Sequence, residues 1–145
     1  MSADEQAVRA ALDAWHQAIQ QLDFPAMAGM WDAAFPGRLV YQPEEYEEPF
    51  CTYDDIKEYW GRVPAVVTSV PEWRALSTEV AVVQDVAVAY SRLWTSIRIK
   101  DVDKSFDGEL RCSYAFRRTP AGWRLIHYHE SRLVSVESVV ASLTG

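Results

Sequence analysis

The chain has 145 residues, is 49% apolar and 12% aromatic, and carries a formal net charge of −7. This length and composition predict one globular domain, residues 1–145, and the acidic balance without a run of Lys or Arg argues against nucleic acid as a partner. No apolar stretch is long enough to span a membrane, and the acidic N-terminus is unlike a signal peptide, so we expect a cytoplasmic protein.

The first part of the chain has the apolar spacing of helices. Ser2 and Glu5 fit a capping box, and apolar residues then recur every three or four positions, which predicts one long helix. His16 lies at the edge of this apolar face, so we expect it at the surface or at the boundary of the core. Asp23-Phe24-Pro25 ends that helix and begins a second, and Thr52-Tyr53-Asp54-Asp55 begins a third.

The later part of the chain reads as strands. Runs rich in branched and aromatic residues predict one early strand and four long ones, at Arg38–Gln42, Glu72–Val83, Val86–Ile99, Glu109–Arg118 and Trp123–Ser135. Turns between the long strands are expected at Gln84-Asp85, Asp107-Gly108 and Thr119-Pro120-Ala121-Gly122. The tail beyond them is compatible with a strand or a short helix. Helices first and strands later are typical of an α+β fold, in which helices cover one face of a strongly curved sheet.

Three groups of polar residues stand apart from these elements. Residues 43–49 (PEEYEEP) hold four glutamates and are predicted to be a solvated acidic loop, with a lid over a pocket as the alternative. Cys51 and Cys112 are too few and too distant for a disulfide framework or a zinc site. His127 and His129 share a strand face, but no third ligand accompanies them, so packing or a subunit interface is favoured over a metal. No phosphate loop or nucleophile elbow is present, and no cofactor is expected.

Five short stretches carry a family resemblance: Leu22-Asp23-Phe24, Tyr41-Gln42-Pro43-Glu44, Ala89-Tyr90-Ser91-Arg92-Leu93, Arg117-Arg118 and Trp123-Arg124-Leu125-Ile126-His127-Tyr128-His129. In this order they resemble the NTF2-like superfamily, also called SnoaL-like domains or cystatin-like cones. Within it the closest resemblance is to the association domain of calcium/calmodulin-dependent kinase II, without the kinase. The resemblance implies an NTF2-like cone, with three N-terminal helices packed on a strongly curved, mostly antiparallel sheet around a pocket open at one end.

The resemblance transfers few of the known site residues. Of the pocket arginines that receive carboxylates in the kinase association domain, only Arg92 is retained, because Glu130 and Ser113 stand at other arginine positions. A pocket histidine of the third helix is replaced by Ile56. Ketosteroid isomerases of the superfamily place a catalytic acid where this chain has Gln42, which cannot take up a proton at neutral pH. Their mechanism is therefore not expected here.

Strand alternation then assigns candidate residues to the two sheet faces. By the resemblance, the face of the long middle strand that carries Arg92 looks into the cone. The predicted inward set is Tyr90, Arg92, Trp94, Arg111, Ser113, Tyr128 and Glu130, with Tyr41 and Trp60 near the mouth. An apolar cup with a few convergent polar groups is typical of a small-molecule site, so we expect the cone to bind an anionic or carbonyl-bearing organic molecule.

Two residues receive roles in this site. Arg92 is the expected polar anchor, because its guanidinium suits a carboxylate or a developing oxyanion. Glu130 is the expected general base or acid, with Tyr128 or Arg92 polarising the substrate. Burial would raise the pKa of Glu130, and contact with Arg92 or Arg111 would lower it again. The alternative is that these arginines and Glu130 form a buried ion network that binds nothing.

Three function classes remain open from the sequence. The chain is a ligand-binding module, a SnoaL-like acid–base enzyme (isomerase, cyclase or dehydratase) with Glu130 as catalyst, or a purely structural oligomerisation domain. If the opposite strand face lines the pocket, His127 and His129 replace Glu130 as candidates. Apolar residues on both faces of the long strands, such as Leu93 on one and Trp94 on the other, predict a homodimer formed through the sheet.

Overall fold

The computed structural model describes all 145 residues, and its order of elements follows the predicted one. The helices are α1 (Ala3–Gln20), α2 (Phe24–Gly29), α3 (Tyr53–Arg62) and α4 (Val136–Thr144), and the strands are β1 (Val40–Gln42), β2 (Val67–Val83), β3 (Val86–Ile99), β4 (Phe106–Thr119) and β5 (Gly122–Arg132). A short 3₁₀ turn, Val63–Ala65, leads from α3 into β2. The α+β class and the cone of helices on a mostly antiparallel sheet are thereby confirmed.

The five strands form one sheet in the order β1-β5-β4-β3-β2. Only the β1–β5 pair is parallel, and it places Tyr41 directly beside Tyr128. Register shifts interrupt the β2–β3 ladder at three points between Val67 and Ser77. Irregularities of this kind bend a strand and increase its twist, so the sheet curves around the helices. We call the face that packs against the helices the inner face and the opposite one the outer face.

Helix caps and an apolar stripe explain why the N-terminal helices form where they do. The Ser2 hydroxyl accepts a hydrogen bond from the Glu5 amide at 3.1 Å, and the Thr52 hydroxyl caps α3 through the Asp55 amide at the same distance. The apolar face of α1 is buried against the inner sheet face, with Leu12 2% exposed. The helix therefore supplies one wall of the core.

His16 is buried, whereas the sequence suggested a surface or boundary position. Only 9% of it is exposed, and its Nε2 lies 3.2 Å from the Tyr114 hydroxyl oxygen. Burial lowers the pKa of His16 to about 4, because the charged ring would lose its hydration. The imidazole is therefore neutral at physiological pH and serves as a hydrogen-bonding core residue.

The predicted Asp107-Gly108 turn is wrong. Gly108 lies inside β4 opposite Thr95, whose hydroxyl donates to the Gly108 carbonyl at 3.0 Å, and the chain reverses earlier, across residues 100–105. Pairing along a long ladder has overridden the local turn preference. The undecided tail is the helix α4, capped by Ser135. None of the four helices combines the length and hydropathy that a membrane crossing requires.

The buried stripe of α1 generates a stability prediction. Leu12→Ala should lower the free energy of unfolding by about 2–5 kcal/mol, because it removes packed methyl groups and leaves a cavity. Leu143→Ala in α4 is the matched control, since Leu143 is 79% exposed and its truncation should cost no more than about 0.5 kcal/mol. Urea denaturation of both variants measures the difference. Equal losses would contradict the assignment of the core.

Candidate functional site

A pocket of about 370 Å³ opens between the inner sheet face and the helices. Aliphatic side chains of β2 and β3 form one wall, and aromatic side chains form another, among them Tyr41, Tyr59, Trp60 and Trp73. Three carboxyl groups also line it, those of Glu44, Glu45 and Glu130. The site is thus an apolar cup with acidic groups and no cationic side chain in its lining.

Glu130 is the most deeply buried of the three carboxyl groups in the pocket lining. It is 9% exposed, the Tyr128 hydroxyl donates to its Oε2 at 2.6 Å, and the Glu44 backbone amide donates to its Oε1 at 3.2 Å. Burial raises the pKa of Glu130 to about 7, and the negative charge of Glu44 adds to this, while the Tyr128 hydrogen bond acts in the opposite direction. The carboxyl can therefore both lose and gain a proton near neutral pH.

Tyr128 is held rigidly behind this carboxyl. Its ring is 1% exposed and stacks on Tyr41 with the centroids 5.3 Å apart and the planes 9° apart. Its hydroxyl oxygen also lies 3.4 Å from the sulfur of Cys112. Burial raises the pKa of Tyr128 well above its usual value, so the hydroxyl stays protonated and acts as a hydrogen-bond donor to Glu130.

The acidic loop, residues 43–49, closes one side of the pocket. Glu44 forms a two-pronged ion pair with Arg132, at 3.0 Å and 2.6 Å, and Glu45 accepts a hydrogen bond from the Tyr59 hydroxyl at 2.6 Å. The amide of Gln42 donates to two carbonyl groups of the same loop. The first half of the loop therefore forms a pocket wall, whereas residues 46–49 are exposed to solvent.

Five predicted pocket residues lie on the outer face instead. In the antiparallel ladders Cys112 stands directly opposite Glu130, and Arg111 stands opposite both Arg92 and Ser131. Residues directly opposite one another share a face, so the arginines and Glu130 point away from each other. The prediction combined the correct face of β5 with the wrong face of β3 and β4. The residues corrected in this way are Tyr90, Arg92, Trp94, Arg111 and Ser113.

On the outer face these side chains have other partners. Arg92 forms an ion pair with Glu109, the Trp94 indole donates to Glu72 at 2.7 Å, and Arg111 donates to the Ser131 hydroxyl at 3.3 Å. Tyr90 is exposed. Arg92 is therefore not the anchor of a ligand in the pocket, and no ion network joins it to Glu130.

The two histidines of β5 also lie outside the pocket. His127 pairs with Ala115, His129 pairs with Ser113, and both are exposed on the outer face. Nowhere in the chain do three His, Cys, Asp or Glu side chains come together as metal ligands. The face of β5 that points into the cone carries Tyr128 and Glu130; Glu130 lines the pocket, whereas Tyr128, a predicted ligand-binding residue, is buried behind it, and the histidines have no access to a ligand there.

Sequence reasoning missed several residues of the pocket wall. Glu44 and Glu45 belong to the predicted acidic loop, but they follow β1, whose partner β5 carries Glu130, so their proximity to Glu130 follows from the strand pairing. Tyr59 occupies the apolar face of α3, and Trp73 belongs to the inner face of β2. These signals are weak in isolation, because they depend on which strands become neighbours.

Comparison with known proteins places the chain in a family. A family model described as a SnoaL-like domain matches residues 8–135. The chain belongs to the SnoaL-like family. No curated protein matches this SnoaL-like chain.

Solved structures share the fold of this SnoaL-like domain. A proposed dehydratase of the NTF2-like family from Streptomyces avermitilis matches with a TM-score of 0.79 at 18% identity, over 91% of this chain and 97% of its own. A ketosteroid isomerase-like protein from Erwinia carotovora atroseptica has a TM-score of 0.74 at 17% identity, over 93% and 100%. A proposed calcium/calmodulin-dependent kinase II association domain from Exiguobacterium sibiricum has a TM-score of 0.72 at 14% identity, over 93% and 97%. The similarity confirms the predicted cone fold.

The raised pKa of Glu130 makes the stability of the domain depend on pH. Below about pH 4.5 the carboxyl is protonated in the folded and the unfolded chain. Between about 4.5 and 7 the unfolded chain releases the proton first, so the contribution of Glu130 to the free energy of unfolding falls as pH rises, by up to about 3 kcal/mol, and the loss is complete above 7. The buried His16, whose pKa is lowered to about 4, contributes a change of the opposite sign over nearly the same range in every variant, so the Glu130 effect is the difference between wild type and variant. Glu130→Gln should lack this fall, because an amide still accepts from Tyr128 and cannot ionise.

Urea denaturation across this pH range, with Glu48→Gln as an exposed control, measures the effect. Parallel pH profiles for wild type and Glu130→Gln would show that Glu130 has an ordinary pKa.

Proposed function

We propose that this SnoaL-like domain is an acid–base enzyme in which Glu130 transfers a proton on a neutral, carbonyl-bearing organic substrate. One observation carries the proposal: the Glu130 carboxyl is buried in the wall of an apolar pocket, and its pKa is raised to about 7. A general base is most effective when its pKa lies near the working pH. Dehydration and isomerisation, the reactions in the names of two structural relatives, both require proton transfer.

In the proposed step the Glu130 carboxylate removes a proton from the carbon next to the substrate carbonyl. The electron pair of the C–H bond forms a C=C bond, and the π pair of the carbonyl moves to its oxygen, giving an enolate. Protonated Glu130 then returns the proton to the same carbon or to another one. Tyr128 orients the carboxyl through its 2.6 Å hydrogen bond, and the apolar walls keep water from competing.

The charges around the pocket support a neutral substrate over an anionic one. Glu44, Glu45 and Glu130 all line the pocket. The nearest guanidinium, that of Arg132, is already engaged by Glu44, and Arg92 faces away from the site. A carboxylate ligand would meet carboxylates without a free cation, which is electrostatically unfavourable. Of the two ligand classes expected from the sequence, the carbonyl-bearing one is retained.

A ligand-binding module without turnover is the second candidate. It is supported by the similarity in fold to a proposed association domain, and by Gln42, which stands where ketosteroid isomerases carry an acid. A purely structural domain accounts less well for the pocket, because burying the Glu130 carboxyl without a cation is costly. Turnover by the purified protein separates the first two possibilities.

The test of catalysis is deuterium exchange at the carbon next to a carbonyl. The purified protein should accelerate exchange of the α-protons of 2-tetralone in D₂O, which proton NMR measures. Because the carboxylate is the base, the exchange rate should rise with pH through about 7 and then become constant. Glu130→Gln should lower the rate by about 100-fold or more. Glu137→Gln, an exposed carboxyl on α4, is the control. Unchanged exchange in Glu130→Gln would remove Glu130 from the role.

The proposal includes a homodimer formed through the outer sheet face. Val86, Val88 and Tyr90 of β3 are all exposed there, and a shallow groove of about 760 Å³ runs past Val88, Tyr90 and Ile126. A sheet face left in water normally carries polar residues at these alternating positions. Contact with a second copy would cover this apolar surface and leave the pocket on the inner face free.

Light scattering tests the dimer. The wild type should have about twice the 16.5 kDa mass of the chain at micromolar concentration. Val88→Asp should reduce the mass to that of the monomer, because it buries a charge in the interface. Val102→Asp, which adds the same charge at an exposed valine in the turn after β3, should leave the dimer intact. A monomeric wild type would contradict the proposal.

A further inference from the structure

The guanidinium of Arg132 is held on several sides at the edge of the pocket. It forms the two-pronged ion pair with Glu44 at 3.0 Å and 2.6 Å, donates to the Thr95 hydroxyl at 2.8 Å, and lies 4.3 Å from the centroid of the Phe106 ring. The Thr95 hydroxyl donates to the Gly108 carbonyl, so its oxygen is free to accept from Arg132. The ion pair is largely shielded from water, with side chains 14% and 19% exposed.

Glu44 connects this arginine to the Glu130 carboxyl. Its backbone amide donates to Glu130 Oε1 at 3.2 Å, while its own carboxylate is bound by Arg132. Glu44 therefore acts on Glu130 in two opposite ways, because the amide hydrogen bond lowers the pKa of Glu130 and the negative charge raises it. Arg132 affects both, since it anchors the residue that carries the amide and offsets the charge of the carboxylate.

The other titratable groups around Glu130 are one acid and several neutral groups. Glu45 of the acidic loop adds a smaller negative contribution to the raised pKa of Glu130. The remaining groups stay protonated at physiological pH because burial raises the pKa of each of them: Tyr41, Tyr59, Cys112, Tyr114 and Tyr128. The charges that act on Glu130 are therefore those of the loop acids and of the arginine that pairs with one of them.

We propose that Arg132 is a positioning residue for Glu130, which holds the Glu44 amide against the Glu130 carboxyl and neutralises the Glu44 charge beside it. This rests on the proposed function for the role of Glu130 as the base. Arg132 is not part of the pocket lining, so it acts through Glu44 and not on the substrate. An ion pair that only joined the loop to β5 would stabilise the fold and leave the ionisation of Glu130 unchanged.

Two single substitutions should move the ionisation midpoint of Glu130 in opposite directions. Arg132→Gln leaves the Glu44 charge unneutralised and its amide less firmly held, so the midpoint should rise by about one pH unit or more. Glu44→Gln removes the negative charge and leaves the Arg132 cation unpaired, so the midpoint should fall by about the same amount. The carboxyl signal of Glu130 in protein labelled with ¹³C at glutamate side chains measures both shifts.

A conservative variant and a matched control separate positioning from general effects. Arg132→Lys keeps the charge without the two-pronged geometry, so it should restore most of the wild-type midpoint. Arg118 forms a similar two-pronged pair with Asp4, at 2.8 Å and 2.7 Å, and lies over the Trp123 ring at 4.5 Å. It stands opposite Trp123, seven residues before Glu130 in β5, which is about 23 Å along the strand. Arg118→Gln should leave the midpoint unchanged.

Shifts of the same sign in Arg132→Gln and Glu44→Gln, or shifts no larger than that of Arg118→Gln, would overturn the proposal. If Arg132→Gln does not fold, Glu44→Gln and Arg132→Lys decide the question. A lowered midpoint in the first and a midpoint near that of wild type in the second would support the role of Arg132, whereas an unchanged midpoint in Glu44→Gln would refute it.

The two proposals fail in different ways, because the midpoint is measured without turnover. Opposite shifts without Glu130-dependent deuterium exchange would refute the catalytic function and support the role of Arg132. Glu130-dependent exchange whose pH profile is the same in wild type, Arg132→Gln and Glu44→Gln would do the reverse.

Discussion

The burial of the Glu130 carboxyl without a cation is the constraint on which the pocket depends. A carboxyl withdrawn from water needs hydrogen-bond donors, and here two neutral ones supply them, the Tyr128 hydroxyl and the Glu44 amide. These two hydrogen bonds offset part of the free energy that the carboxylate loses on leaving water, but not all of it. The pKa of Glu130 therefore lies near 7. A guanidinium in the same place would have stabilised the fold and produced a carboxylate too weakly basic for proton transfer at neutral pH.

The sheet order explains how this arrangement is built. Parallel pairing of β1 with β5 sets Tyr41 against Tyr128 and brings the start of the acidic loop over Glu130. Arg132 follows Glu130 by two residues on the same face, and it is directed to Glu44. This ion pair links the acidic loop to β5, and the Arg132 guanidinium is hydrogen-bonded to Glu44 and not to Glu130. The contacts that complete the fold at this edge are therefore the ones that set the electrostatics of the pocket.

The cone was predictable because its signals are local or repeated: apolar spacing in α1, caps at Ser2 and Thr52, and long runs of strand-forming residues. Alternation within β5 places Tyr128 and Glu130 on one face, and the resemblance to the cone then predicts that this face points inward. The position of Arg92 requires the register between strands, and a shift of one residue inverts every assignment. The link between Glu44 and Arg132 joins residues 88 positions apart, which no local pattern reveals.

The most direct test of this account is the ionisation of Glu130 itself. In protein labelled with ¹³C at glutamate side chains, the carboxyl signal that disappears in Glu130→Gln can be followed as a function of pH. A midpoint near 7 is the result expected from a carboxyl that is buried among aromatic rings and hydrogen-bonded only by neutral donors. A midpoint below about 5, typical of a glutamate in water or beside a cation, would contradict the central claim.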